Sequence, residues 1–372
     1  MCGLAGQLSH DGESVDAEAV LAKIAHRGPD ARGSEHIRSG GAEVWLGHTR
    51  LSILDLTDAG AQPMISRDGR WWLTFNGEVY NHQTLREGLS VDFRGHSDTE
   101  SIVESLSHRG IDETLRRLNG MYAFAALDRR ERRLYLARDP FGIKPLYYSQ
   151  TPGRIRFASE IGALKAMGVG ARLDSDALQT FLTLRYTPSP QTLLAGISRL
   201  PPGHMLVHDL PSRDTSTRCF ISPQSERFEG TQEEAVTAYE SALRDAVGRQ
   251  LLSDVPVGLL LSGGIDSALI AAMALEAGTK LTGFTVGFGG DHEECEISDA
   301  AHTAQVLGLP HRSVTVDPEQ LWTSLPQIVR SVEEPLGTTS ILPMWSLVAA
   351  ARSEVTVVLT GQGSDEPWGG YR

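Results

Sequence analysis

The sequence predicts two domains, a sheet-rich domain with a few helices and then an α/β domain with a parallel sheet. Its 372 residues suit two domains at roughly 150 residues each. Short strand-like runs dominate residues 2–210, whereas strands and helices alternate over residues 231–372. Between them, residues 211–230 are polar and aperiodic and follow a cluster of prolines. This stretch is predicted to link the domains.

Strands in the first domain are predicted where short apolar, aromatic or β-branched runs are bounded by Gly, Asp or Pro. These runs are 43–46, 71–75, 122–127, 133–137 and 154–158. Ser97 and Glu100 fit a capping box, which predicts the start of a helix there. Gly110 is expected to end that helix.

The second domain begins with another capping box, formed by Thr231 and Glu234, ahead of a helix that should run to about Leu252. Strands are predicted over 255–261, 281–286, 313–316 and 355–360, and helices over 267–277, 297–307, 318–331 and 343–352. This alternation implies parallel strands joined by crossover helices. Ligands of such sheets bind at the carboxyl ends of the strands.

Composition excludes several classes of function. The net charge of −13 disfavours binding to nucleic acid or to anionic membranes. The three cysteines, Cys2, Cys219 and Cys295, lack the spacing of a disulfide framework or a metal site, which favours a reducing compartment. The N-terminus is not typical of a signal peptide, and no apolar run reaches the ~18 residues of a membrane span. We therefore expect a cytoplasmic protein.

Cys2 directly follows the initiator methionine. If Met1 is removed, Cys2 carries a thiol of pKa about 8.5 beside an α-amine of pKa about 7.7–8.0. That amine can then act as the base that activates the thiol. Taken alone, a cysteine at position two can equally be an accident of the translation start.

Five motifs give Cys2 a context: MCGLAG at 1–6, HRGPD at 26–30, GHTRLSI at 47–53, FNGEVYN at 75–81 and RDPFGIKPLYY at 138–148. In this order they resemble the class II glutamine amidotransferase domain, an N-terminal-nucleophile hydrolase, over about residues 2–200. The resemblance implies an α+β fold of stacked antiparallel sheets with helices. Residues 27–30 and 138–148 are expected to be framework.

The resemblance also implies catalytic roles for three residues. Cys2 would be the nucleophile. The side-chain amide of Asn76 and the backbone N–H of Gly77 would form the oxyanion hole. On residue type alone, Asn76-Gly77 could also be a hairpin turn.

Three further residues would bind glutamine in such a domain. Arg50 would hold the α-carboxylate, a task that suits a guanidinium. Glu78 and Asp98 would contact the substrate, with Asp98 paired to the α-ammonium. Taken singly, Arg50 could form a surface ion pair and Asp98 could be a first-turn helix acid.

Residues 262–267, SGGIDS, join a short apolar strand to a helix. Glycines let the backbone approach a ligand, and a helix N-terminus favours an anion. The loop lacks the Gly-Lys-Ser/Thr ending of a Walker A motif and resembles the pyrophosphate loop of ATP pyrophosphatases. The alternative is a plain Gly-Gly turn between a strand and a helix.

Motifs at 284–287, 333–335, 359–366 and 369–371 extend the likeness, so that the whole chain resembles the glutamine-hydrolysing asparagine synthetases. This implies an α/β domain of the adenine-nucleotide α-hydrolase-like type, with Mg²⁺ on Asp266 and Asp365. The residues implied to bind ATP are Leu261, Ser262, Gly263, Gly264, Asp266, Ser267, Val286, Thr360 and Gly361.

Two departures from that family stand out. Gln362 occupies a position that is usually acidic and is tied to forming the acyl-adenylate, and an amide cannot carry that charge. The chain also ends at Arg372, where family members continue. We therefore expect an incomplete second domain, a partner that supplies the rest, or loss of the second activity.

The predicted function is ATP-dependent amidation of aspartate to asparagine, with ammonia from glutamine, a Cys2 thioester and an acyl-AMP intermediate. Alternatives are a different carboxylate acceptor, or a glutaminase with an incomplete synthetase half. Cys2 argues against a β-lactam synthetase, and the SGGIDS loop argues against a phosphoribosyl or hexosamine amidotransferase. The expected partners are glutamine, aspartate and ATP, with a homodimer as one candidate assembly.

Overall fold

A computed structural model describes residues 1–221, 227–288, 295–368 and 370. The chain divides into two compact units, Met1–Ser225 and Glu226–Arg372. Antiparallel sheets with helices form the first unit, and a parallel sheet with helices forms the second, so the predicted fold class is confirmed. No helix within the described ranges is both long and apolar enough to cross a membrane.

Two six-stranded antiparallel sheets build the first unit. Its strands are β1 (Gly3–Ser9), β2 (Ala31–Ser39), β3 (Ala42–Arg50), β4 (Met64–Ile65), β5 (Trp71–Val79), β6 (Gly120–Asp128), β7 (Arg133–Arg138), β8 (Tyr147–Thr151), β9 (Arg154–Ala158), β10 (Ser198–Arg199), β11 (His204–Asp209) and β12 (Thr215–Cys219). One sheet has the order β10-β8-β9-β1-β3-β2, and the other has the order β12-β11-β7-β6-β5-β4.

The two sheets pack face to face over an apolar core. Leu46 and Phe157 of one sheet meet Leu127 and Leu134 of the other, all fully buried. The helices of this unit are α1 (Ala17–Lys23), α2 (His82–Arg86), α3 (Asp98–Arg117), α4 (Ile161–Ala166) and α5 (Ser175–Leu184). Residues of α3 cluster with β5 on the outer face of one sheet, and residues of α1 and α4 cluster on the outer face of the other. The unit is therefore a layered sandwich.

Helix α3 begins after Ser97 as predicted, but its capping box is incomplete and its end differs from the prediction. The Ser97 hydroxyl accepts from the Glu100 N–H, as a capping box requires, but the Glu100 carboxylate bonds the N–H groups of Arg94 and Gly95 instead of Ser97. The expected end at Gly110 is wrong: this residue has a positive φ of 78° and kinks a helix that continues to Arg117. The stretch predicted as a linker, residues 211–230, contains strand β12.

The second unit is a four-stranded parallel sheet with the order β15-β14-β13-β16. Its strands are β13 (Val257–Leu260), β14 (Thr282–Phe288), β15 (His311–Val316) and β16 (Val357–Thr360). Its helices are α6 (Gln232–Gln250), α7 (Ile265–Glu276), α8 (Ile297–Leu307), α9 (Pro318–Ser331), α10 (Ile341–Arg352) and α11 (Asp365–Trp368). The capping box of Thr231 and Glu234 is confirmed. The segments after β13 and β16 leave the same edge of the sheet, because these strands are parallel neighbours.

Candidate functional site

Cys2 lies at the start of β1, where Gly3 is paired with Thr49 of β3. This register puts the thiol against Leu51: its sulfur accepts from the Leu51 N–H at 3.4 Å and contacts the Leu51 carbonyl at 3.6 Å. Burial raises the pKa of the Cys2 thiol, and the hydrogen bond with Leu51 opposes that rise. The Cys2 thiol therefore needs a base to ionise at neutral pH.

A cavity opens beside Cys2 and brings together residues from distant parts of the chain. Its lining includes five of the six residues predicted for the glutaminase site: Cys2, Arg50, Gly77, Glu78 and Asp98. The other lining residues are Leu51, Ile53, Leu54, Gly60, Gln62, Phe75, Ser97 and Thr99.

Asn76, the sixth predicted residue, lies in the middle of β5 opposite Ala123. The hairpin-turn alternative is therefore wrong. Strand alternation places its side chain on the same face as Glu78, yet neither its amide nitrogen nor its amide oxygen has a partner among the described residues. Because buried polar atoms are nearly always hydrogen-bonded, this amide fits a group that awaits a ligand.

Nearby backbone leaves no room for a side chain at Gly77 and accepts hydrogen bonds from Arg50. A Cβ at Gly77 would clash with the carbonyl of Met121 on the neighbouring strand. The Arg50 guanidinium is buried and donates to the backbone carbonyls of Thr57 at 2.7 Å and of Asp55. A surface ion pair is therefore excluded for Arg50, whose orientation is set by the loop after β3.

The two acids of the cavity have raised pKa values. Asp98 is buried and accepts from the N–H groups of Val79 at 2.9 Å and Thr99 at 2.7 Å. Burial nevertheless raises its pKa to about 6. Burial, and then the neighbouring Asp98, raise the pKa of Glu78 well above its ordinary range. A cationic ligand would stabilise both carboxylates.

Two cations beside Cys2 lie in segments that were predicted to be framework. The Arg27 Nε donates to the Cys2 carbonyl at 2.9 Å, and its guanidinium also pairs with Glu160 at 2.8 Å. The Lys144 ammonium is buried and contacts the Met1 sulfur at 3.3 Å. Sequence reasoning missed both, because the contact of Arg27 with Cys2 spans 25 residues of chain and that of Lys144 with Met1 spans 143.

In the second unit, residues 262–264 lie in the connection from β13 to α7, and residues 265–267 form the first turn of α7. The Ser262 N–H donates to the Ser267 hydroxyl, and the Gly264 N–H donates to the Ser262 hydroxyl, each at 3.1 Å. Helix α7 starts at Ile265 with Gly264 as its N-cap, and no side chain caps its first turn. An uncapped helix N-terminus behind exposed glycines, including Gly263, fits a phosphate group.

The remaining residues predicted to bind ATP come from neighbouring strands. Leu261 follows β13 and donates its N–H to the carbonyl of Phe284 on β14 at 2.8 Å, and Val286 lies further along β14. Thr360 ends β16, and a Cβ at Gly361 would lie 3.1 Å from the backbone nitrogen of Ser267 in the first turn of α7. The structure therefore gathers them at the carboxyl edge of the sheet.

The two predicted metal ligands lie in the first turns of α7 and α11. Across the described ranges, no group of three or more His, Cys, Asp or Glu residues could hold a metal ion. Mg²⁺ commonly uses one or two carboxylates together with substrate phosphates, so Asp266 and Asp365 fit an ion that binds with the nucleotide.

Gln362 is exposed and donates to the Glu366 carboxylate at 3.0 Å. Gly369 and Tyr371 of the last motif lie outside the described residues.

Comparison with known proteins agrees with the division of the structure into two compact units. A family model of the glutamine amidotransferase domain matches residues 1–220, and a model of asparagine synthase matches residues 238–372. Glutamine-hydrolyzing asparagine synthetase 1 of Bacillus subtilis is 35% identical over 380 residues, which cover 100% of this chain and 59% of that protein. Amidase chyE of Penicillium rubens is 32% identical over 405 residues, with coverages of 100% and 59%. The chain thus spans about three fifths of these relatives.

Among solved structures, the glutamine phosphoribosylpyrophosphate amidotransferase of B. subtilis matches with a TM-score of 0.44 and 17% identity. The match covers 90% of this chain and 71% of that one. A likeness this low has no bearing on the substrate.

Proposed function

Because the chain belongs to the family of glutamine-hydrolysing asparagine synthetases, we propose that it releases ammonia from glutamine at Cys2. The second unit uses that ammonia in the ATP-dependent amidation of a carboxylate, with the aspartate side chain as the acceptor. AMP and pyrophosphate are the other products.

One observation carries the proposal: the cavity beside Cys2 offers a complementary group for each part of glutamine. Asp98 and Glu78 suit its α-ammonium, and Arg50 suits its α-carboxylate. The N–H of Gly77, and the unpartnered amide of its buried neighbour Asn76 on β5, suit the oxygen of its side-chain amide.

The glutaminase reaction then follows once removal of Met1 has freed the α-amine of Cys2. Its α-amine takes the thiol proton, and the thiolate attacks the amide carbon, so that the C–O π electrons move to an oxyanion held by Asn76 and Gly77. Collapse of this intermediate breaks the C–N bond, and the protonated α-amine gives its proton to the leaving nitrogen. Ammonia departs and a γ-glutamyl thioester remains. Water then cleaves the C–S bond, which releases glutamate and restores the thiol.

In the second unit, the SGGIDS loop and the N-terminus of α7 bind the ATP phosphates. The acceptor carboxylate attacks the α-phosphorus, pyrophosphate leaves, and ammonia then displaces AMP from the acyl carbon. Mg²⁺, held by Asp266 and Asp365, would offset the charge of the pyrophosphate. Gln362 can donate a hydrogen bond here but cannot add negative charge.

The test follows the nitrogen atom. The chain is incubated with amide-¹⁵N glutamine, ATP, Mg²⁺ and aspartate, and the products are identified by mass spectrometry. The proposal predicts ¹⁵N in asparagine and one AMP per asparagine. Cys2→Ala should abolish transfer from glutamine but spare synthesis from ammonium salts. Glutamate release by Cys2→Ala would refute the proposed nucleophile, and formation of ADP would refute the proposed ATP chemistry.

A second candidate function keeps the chemistry but changes the acceptor. Two observations favour it: Gln362 departs from the family, and some relatives, such as chyE, are named amidases. Release of AMP that depends on another carboxylate but not on aspartate would support this candidate.

A further inference from the structure

Lys144 is a buried cation that the proposed reaction leaves without a role. It lies in the loop between β7 and β8, and the residue is only 6% exposed. The Asp139 carboxylate fixes that loop by accepting the N–H groups of Phe141, Ile143 and Lys144, each at 3.0 Å. Arg138 adds a bond to the Lys144 carbonyl at 2.8 Å. The backbone from which the Lys144 side chain extends is therefore fixed on both its N–H and its carbonyl.

That ammonium lies beside the N-terminus. Its nitrogen is 3.3 Å from the Met1 sulfur, which is a weak acceptor for so strong a donor. Removal of Met1 takes this thioether away and makes Cys2 the N-terminal residue, which then carries the α-amine. The buried charge of Lys144 would then lie close to the group that must accept the thiol proton.

We propose that Lys144 is a positioning residue for catalysis, which acts through the α-amine of mature Cys2 by keeping that amine neutral and able to accept a proton. The inference rests on the proposed role of Cys2 as the glutaminase nucleophile. A nearby positive charge disfavours the ammonium form of an amine, because two like charges repel in a poorly solvated site. A neutral amine is the form that can act as a base.

Other charges around the N-terminus modify this effect. Burial lowers the pKa of the amine on Met1 to about 6; Cys2 and Glu78 raise it, whereas Arg27 and Lys144 lower it. Glu78 and Asp98 also face the thiol, and Glu78 and Asp139 face Lys144. Arg27 is the competing cation, but its guanidinium is paired with the Glu160 carboxylate. Lys144 instead contacts a neutral sulfur, and burial lowers the pKa of its ammonium although Glu78 and Asp139 oppose that change.

The test is the pH profile of glutaminase kcat/KM, which reports the pKa values of the free enzyme. Lys144→Met removes the charge, and Lys144→Arg keeps it. Lys23→Met is the matched control, because it makes the same change at an exposed position on α1. Intact mass confirms that Met1 is absent from every sample.

We expect Lys144→Met to move the acid limb to higher pH by about one unit, a typical effect of a neighbouring charge. Its activity should fall about tenfold on that limb and recover at alkaline pH, whereas the Arg variant and the Lys23 control keep the wild-type limb. If Lys144→Met does not fold, Lys144→Gln takes its place. As a second readout, the rate of Cys2 alkylation by a diazoketone analogue of glutamine should show the same shift.

An acid limb that stays in place in the folded, neutral variant would overturn this inference. If Cys2→Ala still abolishes glutamate release in that case, the proposed function stands without the role of Lys144. If Cys2→Ala retains glutaminase activity, both fail together.

Discussion

Replacement of Asn76 by Ala should separate catalysis from stability. Asn76 is 1% exposed and its amide has no partner among the described residues. If it donates to the oxyanion, its loss should lower kcat by about 10²–10³-fold, or about 2.7–4 kcal/mol. The substitution also removes a buried polar group without a partner, whose desolvation destabilises the folded state by about 1–3 kcal/mol. This gain in stability offsets the loss of packing contacts. The free energy of unfolding should therefore change little or rise.

Asn81 supplies the matched control, because it is the same residue type in the same motif with its amide fully used. Its side chain donates to the Arg117 carbonyl at 2.8 Å and accepts from the Asn119 N–H at 2.9 Å. Asn81→Ala should cost about 1–2 kcal/mol of stability, since each bond contributes about 1 kcal/mol, and should leave kcat near the wild-type value.

Glutamate release measures kcat for both variants, and urea denaturation measures the free energy of unfolding. The two Asn→Ala changes are expected to have opposite signatures. A stable Asn76→Ala protein with wild-type kcat would refute the oxyanion role. A large loss of stability in that variant would show that the amide has a structural partner.

Four further predictions concern Asp98, Asp266 and Gln362. Burial raises the pKa of Asp98 from 3.8 to about 6, so KM for glutamine should rise as pH falls below about 6. Asp98→Asn should give a KM that is high and independent of pH. A KM unaffected by the substitution would remove Asp98 from the binding site. The folded state also holds this proton up to about pH 6, so stability should fall as pH rises from about 4 to about 6, and Asp98→Asn should flatten that slope in urea denaturation. Asp266→Ala should abolish AMP and pyrophosphate release in a coupled assay while glutamate release continues, and persistent pyrophosphate release would exclude Asp266 as a ligand. Gln362→Glu should speed pyrophosphate release by adding the missing charge, and an unchanged rate would show that this side chain does not limit adenylation.

Sequence patterns predicted the second unit well, because its elements follow local rules. The predicted bounds of α8 and α9 match the structure, and both members of the Thr231 capping box make their bonds. In the first unit, long-range contacts override local signals. The Asn76-Gly77 pair has turn chemistry but lies inside β5, where only glycine fits against Met121.

Only part of the candidate site could be predicted from the sequence, because some of its contacts are long-range. Residues within motifs, such as Cys2 and Arg50, could be assigned from a resemblance, and the structure places both at one cavity. The residues around the N-terminus could not be assigned in this way, because Arg27 contacts Cys2 and Lys144 contacts Met1 only in the folded chain. No local pattern indicates that a lysine 143 residues away will contact Met1.

The thioester on Cys2 is the central claim, and an acid-quench experiment tests it most directly. The chain is mixed with glutamine, quenched in acid within one turnover, digested and analysed by mass spectrometry. The account predicts a glutamyl adduct on the N-terminal peptide, at the Cys2 sulfur, that hydroxylamine removes and that Asn76→Ala forms more slowly. An adduct on another residue, or rapid glutamate release with no adduct on Cys2 at any quench time, would contradict it.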